Sequence, residues 1–308
     1  MRYTLLLLLI MLAVAIGVLY THQHGPVVAV SSGCVDIRAT PDYLSTGSAY
    51  DAIAAINHAR QGEHLHPLHL PKNFYHLDAG QQQLILINLE RIDRGLHPLQ
   101  MDANLAHMAW AYSKQLLDLN FFAHTSPIGG TFGDRINSNS AIANHYSQAA
   151  ENLAGNPVPG VGPMYEYMYD DTVENCGHRH NILDPALTLV GISWVRGSTY
   201  GSLSAQEFLT SAPWSPYVSA TPDVIAPMLA ISVDSLQKSR ILQCLALAED
   251  NIGIVRITWF LDRVDKPLHV GPSWKLDMHH LSRGRHTLFT YAVDGEQNYG
   301  MARYVFVV

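Results

Sequence analysis

Cysteine and charged residues are both scarce in this chain of 308 residues. Three cysteines allow at most one intramolecular disulfide, which excludes a scaffold held together by disulfides. Charged residues make up 15% of the sequence, against about 25% in an average soluble protein. The 19 lysines and arginines are scattered among 26 aspartates and glutamates, so the basic stripe that binds phosphate backbones is missing. We therefore expect no nucleic-acid partner.

The N-terminus carries a long apolar run without charge. Arg2 precedes residues 5–19, and this run addresses the chain to a membrane. Its length lies between a signal-peptide core and the roughly 20 residues that span a bilayer comfortably. Residues 1–22 are therefore predicted to be a signal peptide or a membrane anchor. Residues 23–48, rich in Gly, Pro, Ser and Thr, are predicted to be a linker, and the rest of the chain is expected outside the cytoplasm, secreted or anchored to the cell membrane.

Helical periodicity dominates the region that follows. Apolar spacing and the N-cap candidate Asp102 predict helices at residues 49–60, 80–94, 103–119, 134–137 and 163–172. Alternating segments predict strands at residues 187–196 and 202–210, joined by a turn at Gly197 and Ser198. Helices followed by strands indicate an α+β fold. Residues 49–78 are assigned to an N-terminal helical extension.

The character of the chain changes after a proline-rich segment, residues 213–226, which is predicted to be a second linker. Residues 227–308 carry only strand signals, such as the alternation at residues 255–260, and predict an all-β sandwich. Residues 250–253 (Asp-Asn-Ile-Gly) and 284–288 (Gly-Arg-His-Thr-Leu) resemble recurring segments of bacterial Ig-like modules. The resemblance implies an Ig-like domain suited to adhesion, spacing or ligand presentation.

Five segments of the middle region occur in a specific order. They are Asn-Leu-Glu-Arg at residues 88–91 with Gly95 and Pro98-Leu99 behind it, Phe-Phe-Ala-His-Thr-Ser-Pro at 121–127, Glu-Asn-Leu-Ala at 151–154, Cys-Gly-His-Arg-His-Asn-Ile-Leu at 176–183 and Ala-Gln-Glu-Phe at 205–208. Together they resemble the bacterial, SCP-like branch of the CAP superfamily (cysteine-rich secretory, antigen 5, pathogenesis-related), although Ala150 stands where the family has a glycine. The resemblance implies a CAP domain over residues 79–212, folded as an α/β/α sandwich.

The resemblance also implies a cleft in which two histidines and two acids can hold a divalent cation. Matching the motifs residue by residue gives His124, Glu151 and His178. The second acid, counted from the tyrosine three residues earlier, is Asp170, and Glu166 one helical turn before it is the second choice. Two imidazoles and two carboxylates suit zinc or another divalent cation. The expected cleft residues and metal ligands are therefore His124, Glu151, Asp170 and His178.

Three neighbouring residues are interpreted as structural. Cys176 is expected to be a small buried residue or to form a disulfide with Cys34. Arg135 is expected to bond loop carbonyls, and His180 to lie on the surface.

The function favoured by these features is a ligand-binding or adhesive module at the cell envelope, with a lipid or another envelope component as ligand. One alternative is a metal-dependent, peptidase-like hydrolase with Glu151 as its base, although the sequence has no His-Glu-x-x-His helix and no Gly-x-Ser-x-Gly elbow. The other is a structural surface protein with a vestigial cleft. The sequence leaves the oligomeric state open.

Overall fold

The computed structural model describes residues 47–172, 175–236 and 240–308. The predicted signal peptide or anchor at residues 1–22 and Cys34 lie outside the described residues, as does all but the end of the predicted linker at 23–48. Within the described ranges, no helix has the length and apolar character needed to cross a membrane.

Side-chain caps fix where several helices begin. Ser48 and Asp102 each accept a hydrogen bond from the backbone N–H three residues further on. Asp78 forms a reciprocal capping box with Gln81. The helices are α1 (Ala49–Gly62), α2 (Ala79–Ile92), α3 (Ala103–Asp118), α4 (Phe132–Ser138), α5 (Val161–Tyr169) and α6 (Gly177–Leu183). The first five confirm the predicted helices within a few residues, whereas α6 was not predicted.

The first domain is built on a four-stranded sheet with strands β1 (Gln100–Met101), β2 (Tyr146–Gly155), β3 (Leu189–Arg196) and β4 (Ser202–Ser211). Their order is β1-β3-β4-β2, with β1 parallel to β3 and the other pairs antiparallel. β2 is therefore an edge strand.

Helices cover both faces of this sheet. On one face, α3 lies so close to β3 that a Cβ added to Gly191 would sit 2.0 Å from the carbonyl carbon of Leu105. On the opposite face, Ile192 and Phe208 share a core with residues of α2 and α5. The result is a helix–sheet–helix arrangement of three layers.

Helix α1 belongs to the same core. Ile53 and Ile56 are buried among residues of α2 and α5. The buried Arg60 forms an ion pair with Glu90 at 2.6 Å, and Glu63 forms one with Arg179 at 2.6 Å. Apolar packing and buried charge thus join the N-terminal extension to the domain that follows it.

The second domain consists of strands β5 (Met228–Leu236), β6 (Ile241–Glu249), β7 (Ile254–Leu261), β8 (His269–Val270), β9 (Ser273–Asp277), β10 (Arg285–Asp294) and β11 (Tyr299–Val307). They form one sheet of order β11-β10-β7-β8 and another of order β5-β6-β9. Leu242 and Leu276 of the smaller sheet pack against Trp259, Leu288 and Phe306 of the larger one. The two sheets therefore enclose a common core, as in a β-sandwich.

The β10–β11 hairpin docks the second domain onto the first. Gln297 accepts a hydrogen bond at its carbonyl from Gln115 Nε2 (3.1 Å) and donates from Nε2 to Ser138 Oγ (2.9 Å). Asn104 Nδ2 donates to Glu296 Oε1 over 3.2 Å. The tip is buried and polar, and α3 provides much of its binding surface.

The cysteines of the described residues differ in state. Cys176 is buried and disulfide-bonded; its predicted partner Cys34 lies outside the described residues, so that pairing stays a prediction. Cys244 is a free buried thiol whose pKa burial raises to about 11.

Candidate functional site

The first histidine motif and β2 bring His124 together with Glu151. His124 lies in the loop after α3, and its Nδ1 is 2.8 Å from Glu151 Oε1. The Glu151 side chain is 2% exposed, whereas that of His124 is 56% exposed. Because the carboxylate occupies Nδ1, the imidazole edge that carries Nε2 is left for a ligand. The structure thus joins two of the predicted cleft residues in one hydrogen-bonded pair.

Arg135 fixes the other side of Glu151. Its guanidinium forms an ion pair with Glu151 Oε2 and lies 3.5 Å from the centre of the Tyr112 ring. It also donates to the carbonyls of His124 (2.9 Å) and Gly130 (3.2 Å), in agreement with the prediction that it bonds loop carbonyls. Arg135 therefore balances the charge of Glu151 and holds its side chain in place, and the same arginine orders the His124 loop.

A second histidine–acid pair forms at the start of α6. His178 Nδ1 is 2.6 Å from Asp171 Oδ1, and Asp171 Oδ2 accepts a hydrogen bond from the backbone N–H of Arg179 (2.9 Å). Asp171 is buried, and the His178 ring lies 5.1 Å from the ring of Tyr167. This imidazole is also bonded through Nδ1 to a buried carboxylate, which leaves its Nε2 for a ligand.

The acid that contacts His178 is therefore neither of the two predicted candidates. Asp170 is exposed and forms the C-cap of α5. Glu166, on α5, accepts a hydrogen bond from Asn156 Nδ2 over 2.6 Å. Both nevertheless line the same cavity as Asp171 and His178, which has a volume of about 310 Å³.

Two consecutive residues of β2 connect the pairs. Glu151 and Asn152 point to opposite faces of the sheet, as neighbours on a strand do. While Glu151 bonds His124, the Asn152 side chain donates to the carbonyl of His178 (3.2 Å) and accepts from Asn181 Nδ2 (2.8 Å). The two histidines are thus anchored to one edge strand from its two sides.

A further acid, Glu207, lies under the site. It is the cross-strand partner of Glu151 on β4 and is fully buried. Neither oxygen of its carboxyl group has a hydrogen-bond partner among the described residues. Burial, reinforced by the charge of Glu151 and opposed by Arg135, raises the pKa of Glu207 well above its usual range. Burial therefore works against the charged form of this carboxyl group.

Among the described residues, the four predicted metal ligands do not gather into one close cluster of ligating atoms. A histidine whose Nδ1 is bonded to a carboxylate is oriented for coordination through Nε2, which fits His124 and His178. The two carboxylates then orient the imidazoles rather than acting as ligands themselves. Among the described residues, one group of three acids or histidines has its ligating atoms within 4.8 Å of one another, and it consists of Asp223, Asp250 and Asp294. The zinc site at His124, Glu151, Asp170 and His178 stays a prediction.

The region that contains these residues matches a known protein family. Residues 84–211 match the family model described as "CAP: Cysteine-rich secretory protein family". The chain therefore contains a CAP domain, as the motif order predicted, and it has bacterial relatives.

Three relatives illustrate the extent of the similarity. The uncharacterized protein YkwD of Bacillus subtilis (strain 168) is 35% identical over 125 residues, which make up 40% of this chain and 44% of that protein. The uncharacterized membrane protein YlbC of the same strain is 30% identical over 112 residues, or 36% of this chain and 30% of that protein. An extracellular protein containing a SCP domain from Bacillus anthracis str. Ames shares 29% identity at a TM-score of 0.36, over 47% of this chain and 44% of that chain. This chain spans less than half the length of the curated relatives that it matches.

Proposed function

We propose that this protein is an extracytoplasmic ligand-binding module that acts at the cell envelope through its CAP cleft. The observation that carries the proposal is the pair of imidazoles, His124 and His178, each bonded through Nδ1 to a buried carboxylate. Buried partners fix the ring orientation in advance, so little side-chain entropy is lost when a ligand meets Nε2. The uncharged N-terminal run supports export, either as a secreted protein or with a membrane anchor.

The second domain fits this role as a presenting module. Two sheets around a common core support the proposal of an Ig-like sandwich. Its polar hairpin docks against α3, so it holds the CAP domain in a defined orientation instead of trailing behind a loose linker.

Cosedimentation with isolated bacterial cell envelopes tests the binding function. The full-length chain in detergent should sediment with the envelopes, and a His124→Ala/His178→Ala double variant should lose at least tenfold in affinity. His180→Ala is the matched control, because His180 is exposed on the same helix two residues from His178. Binding by the double variant equal to wild type would overturn the proposal.

A divalent cation at the cleft is proposed as an addition to this function. The free edges of two carboxylate-bonded imidazoles support it, with exogenous ligands completing the coordination shell. Calorimetric titration with zinc chloride should show a site in wild type and in His180→Ala that disappears in the double variant. Equal zinc binding in all three proteins would place the metal elsewhere, and no binding in any would remove it.

A hydrolase is the second candidate function. An imidazole oriented by a buried carboxylate is a common form of general base, and the site contains two of them. We assign no nucleophile among the described residues to this candidate, so water would be the attacking group. If wild type releases products from isolated envelopes and His124→Ala does not, the chain is an enzyme; envelope binding without release in wild type supports the binding function alone.

A further inference from the structure

A ridge of two exposed aromatic rings, Phe122 and Tyr200, borders the cavity that His178 lines. Phe122 and Tyr200 are 43% and 49% exposed, and their ring centroids lie 5.4 Å apart at an angle of 49°. Phe122 lies two residues before His124, and Tyr200 lies in the loop between β3 and β4. Two neighbouring rings exposed in this way offer an apolar surface on which a ligand can stack.

The backbone beneath the ridge is shaped to hold it. A Cβ added to Gly155, the last residue of β2, would lie 2.6 Å from Cγ of Tyr200. The tyrosine ring therefore rests on the bare backbone at the end of β2, the strand that also carries Glu151. A side chain at position 155 would displace it.

The ridge separates two cavities. On one side lies the 310 Å³ cavity with Glu166, Asp170, Asp171 and His178. On the other lies a cavity of about 130 Å³ whose lining includes Asn120, Ser198 and Thr199. Phe122 and Tyr200 line both cavities, so a ligand that extends over the ridge meets both.

The charges of the lining restrict the ligand. Among the described residues that line it, the larger cavity carries three acidic side chains and neither lysine nor arginine, which disfavours phosphates and other anions. The described lining of the smaller cavity includes no charged side chain and offers hydroxyl and amide groups. A long cation such as a polyamine would find acidic partners on one side only. Carboxylate, hydroxyl and amide oxygens accept hydrogen bonds from hydroxyl groups, and aromatic faces pack against the C–H faces of a pyranose ring.

We propose that the ridge and its two cavities form a binding site for a neutral oligosaccharide, with one pyranose unit on each side of Phe122 and Tyr200. This inference rests on the proposed function, since it names the class of ligand that the cleft binds. The two rings have few rotatable bonds, so they offer stacking area at a low cost in side-chain entropy. The acceptors in the two cavities bind the hydroxyl groups of the sugar.

Calorimetry with defined oligosaccharides tests the site. The probes are the tetrasaccharides of β-1,4-linked N-acetylglucosamine and of β-1,4-linked glucose, titrated into the full-length chain in a detergent without a sugar headgroup. At least one should bind wild type, and Phe122→Ala and Tyr200→Ala should each weaken it by tenfold or more. Tyr200→Phe keeps the ring and should restore most of the affinity, while Gly155→Val should weaken binding by moving the ring. Trp214→Ala, at an aromatic residue that is 73% exposed and outside the groove, is the matched control and should bind like wild type.

Several outcomes would overturn the inference. They are no tetrasaccharide binding to a wild type with a cooperative thermal transition, equal binding by wild type and both alanine variants, and ridge-dependent binding of spermine in place of the sugars. Envelope binding that needs His124 and His178 but not the ridge would overturn the oligosaccharide site and leave the proposed function standing. Envelope binding that none of these variants changes would overturn the proposed function instead.

Discussion

At the scale of single residues, the site depends on the ion pair between Glu151 and Arg135. Arg135 is fully buried, and Glu151 is its only carboxylate contact among the ion pairs of the described residues. Glu151 in turn holds His124, so one carboxylate links the arginine in the core to the imidazole at the surface. Stability and ring orientation are therefore coupled through this residue.

Replacing Glu151 by Gln should destabilise the fold. The amide keeps the shape but removes the charge that compensates Arg135. Because Arg135 and His124 contact different oxygens of Glu151, the single oxygen of the amide can face only one of them. Breaking a buried pair by removing one partner costs about 3–5 kcal/mol, and the isosteric amide should recover part of this. Urea unfolding measures the loss. His124→Ala is the control, since removal of a half-exposed ring should cost about 1 kcal/mol or less; equal losses in both variants would contradict the coupling.

The two adjacent aspartates after α5 should differ in their importance. Asp171→Asn weakens the contact with His178 and the bond from the Arg179 backbone N–H, both in a buried setting. We expect a loss of about 1–3 kcal/mol in unfolding free energy, against about 0.5 kcal/mol or less for the exposed Asp170→Asn. The two variants should also differ in their affinity for cell envelopes, and Asp171→Asn should bind more weakly. A larger effect from Asp170→Asn would restore the predicted residue to the site.

The end of α5 explains why the sequence points to Asp170 and not to Asp171. Spacing from the preceding tyrosine assumes that the helix continues, but α5 ends at Tyr169, and the chain turns at Asp170. His124, Glu151 and His178 lie in motifs whose order is sufficient to identify them. The motif at residues 205–208 does not reveal a role for Glu207, because only the strand register shows that it lies opposite Glu151.

At the scale of secondary structure, local signals predicted the helices better than the strands around the site. α3 begins at the predicted N-cap Asp102 because its side chain caps the helix directly. β2 was not predicted, since its polar and small residues lack a strong apolar alternation, and its pairing with β4 makes it a strand. α6 has seven residues and no side-chain N-cap, so it forms through tertiary contacts such as Arg179 with Glu63. β5 and β6 were also not predicted individually, although the all-β character of their region was.

The N-terminal helix should contribute strongly to stability. Arg60 has no exposed surface and pairs with Glu90 and Asp93, so Arg60→Met leaves a buried carboxylate with fewer partners. We expect a loss of about 3–5 kcal/mol. Lys114→Met is the control, because its ion pair with Asp118 is exposed and should contribute about 1 kcal/mol or less. Chemical unfolding measures the loss of unfolding free energy in both variants. Similar small losses would mean that α1 is peripheral to the first domain.

At the scale of the whole molecule, the docking of the two domains places carboxyl groups where water is excluded. Burial raises the pKa of Asp294 to about 7, and burial together with the charge of Asp294 raises that of Glu296 to about 7. Asn104, Asn298 and His107 face these groups, with Asp223 and Asp250 nearby. Burial lowers the pKa of His107, which gives it the opposite dependence on pH.

The interface should therefore weaken as the pH rises. Because an unfolded carboxyl titrates near about pH 4, the folded chain holds more protons than the unfolded chain between about pH 4 and about 7, and stability falls with rising pH through that window. Glu296→Gln removes one of the two titrations and should reduce the decline between pH 5 and 8 by about 2 kcal/mol. His107 and the other histidines titrate in both proteins. Their contribution therefore cancels when the unfolding free energy of wild type is subtracted from that of the variant. Urea unfolding in the presence of EDTA, which removes any cation from the nearby aspartates, measures it.

Asp277→Asn is the control for Glu296→Gln. The pKa of this exposed carboxyl is lowered by hydrogen bonds from the His279 backbone and side chain, so its contribution to stability is present above its unfolded pKa and is lost as the pH falls. The substitution should leave the decline between pH 5 and 8 as it is in wild type. If Glu296→Gln and Asp277→Asn both follow the wild-type curve, the hairpin carboxyl groups do not titrate in this window, and domain docking is independent of pH. A flatter curve for Glu296→Gln alone means that the hairpin holds the domains together most firmly in a mildly acidic medium.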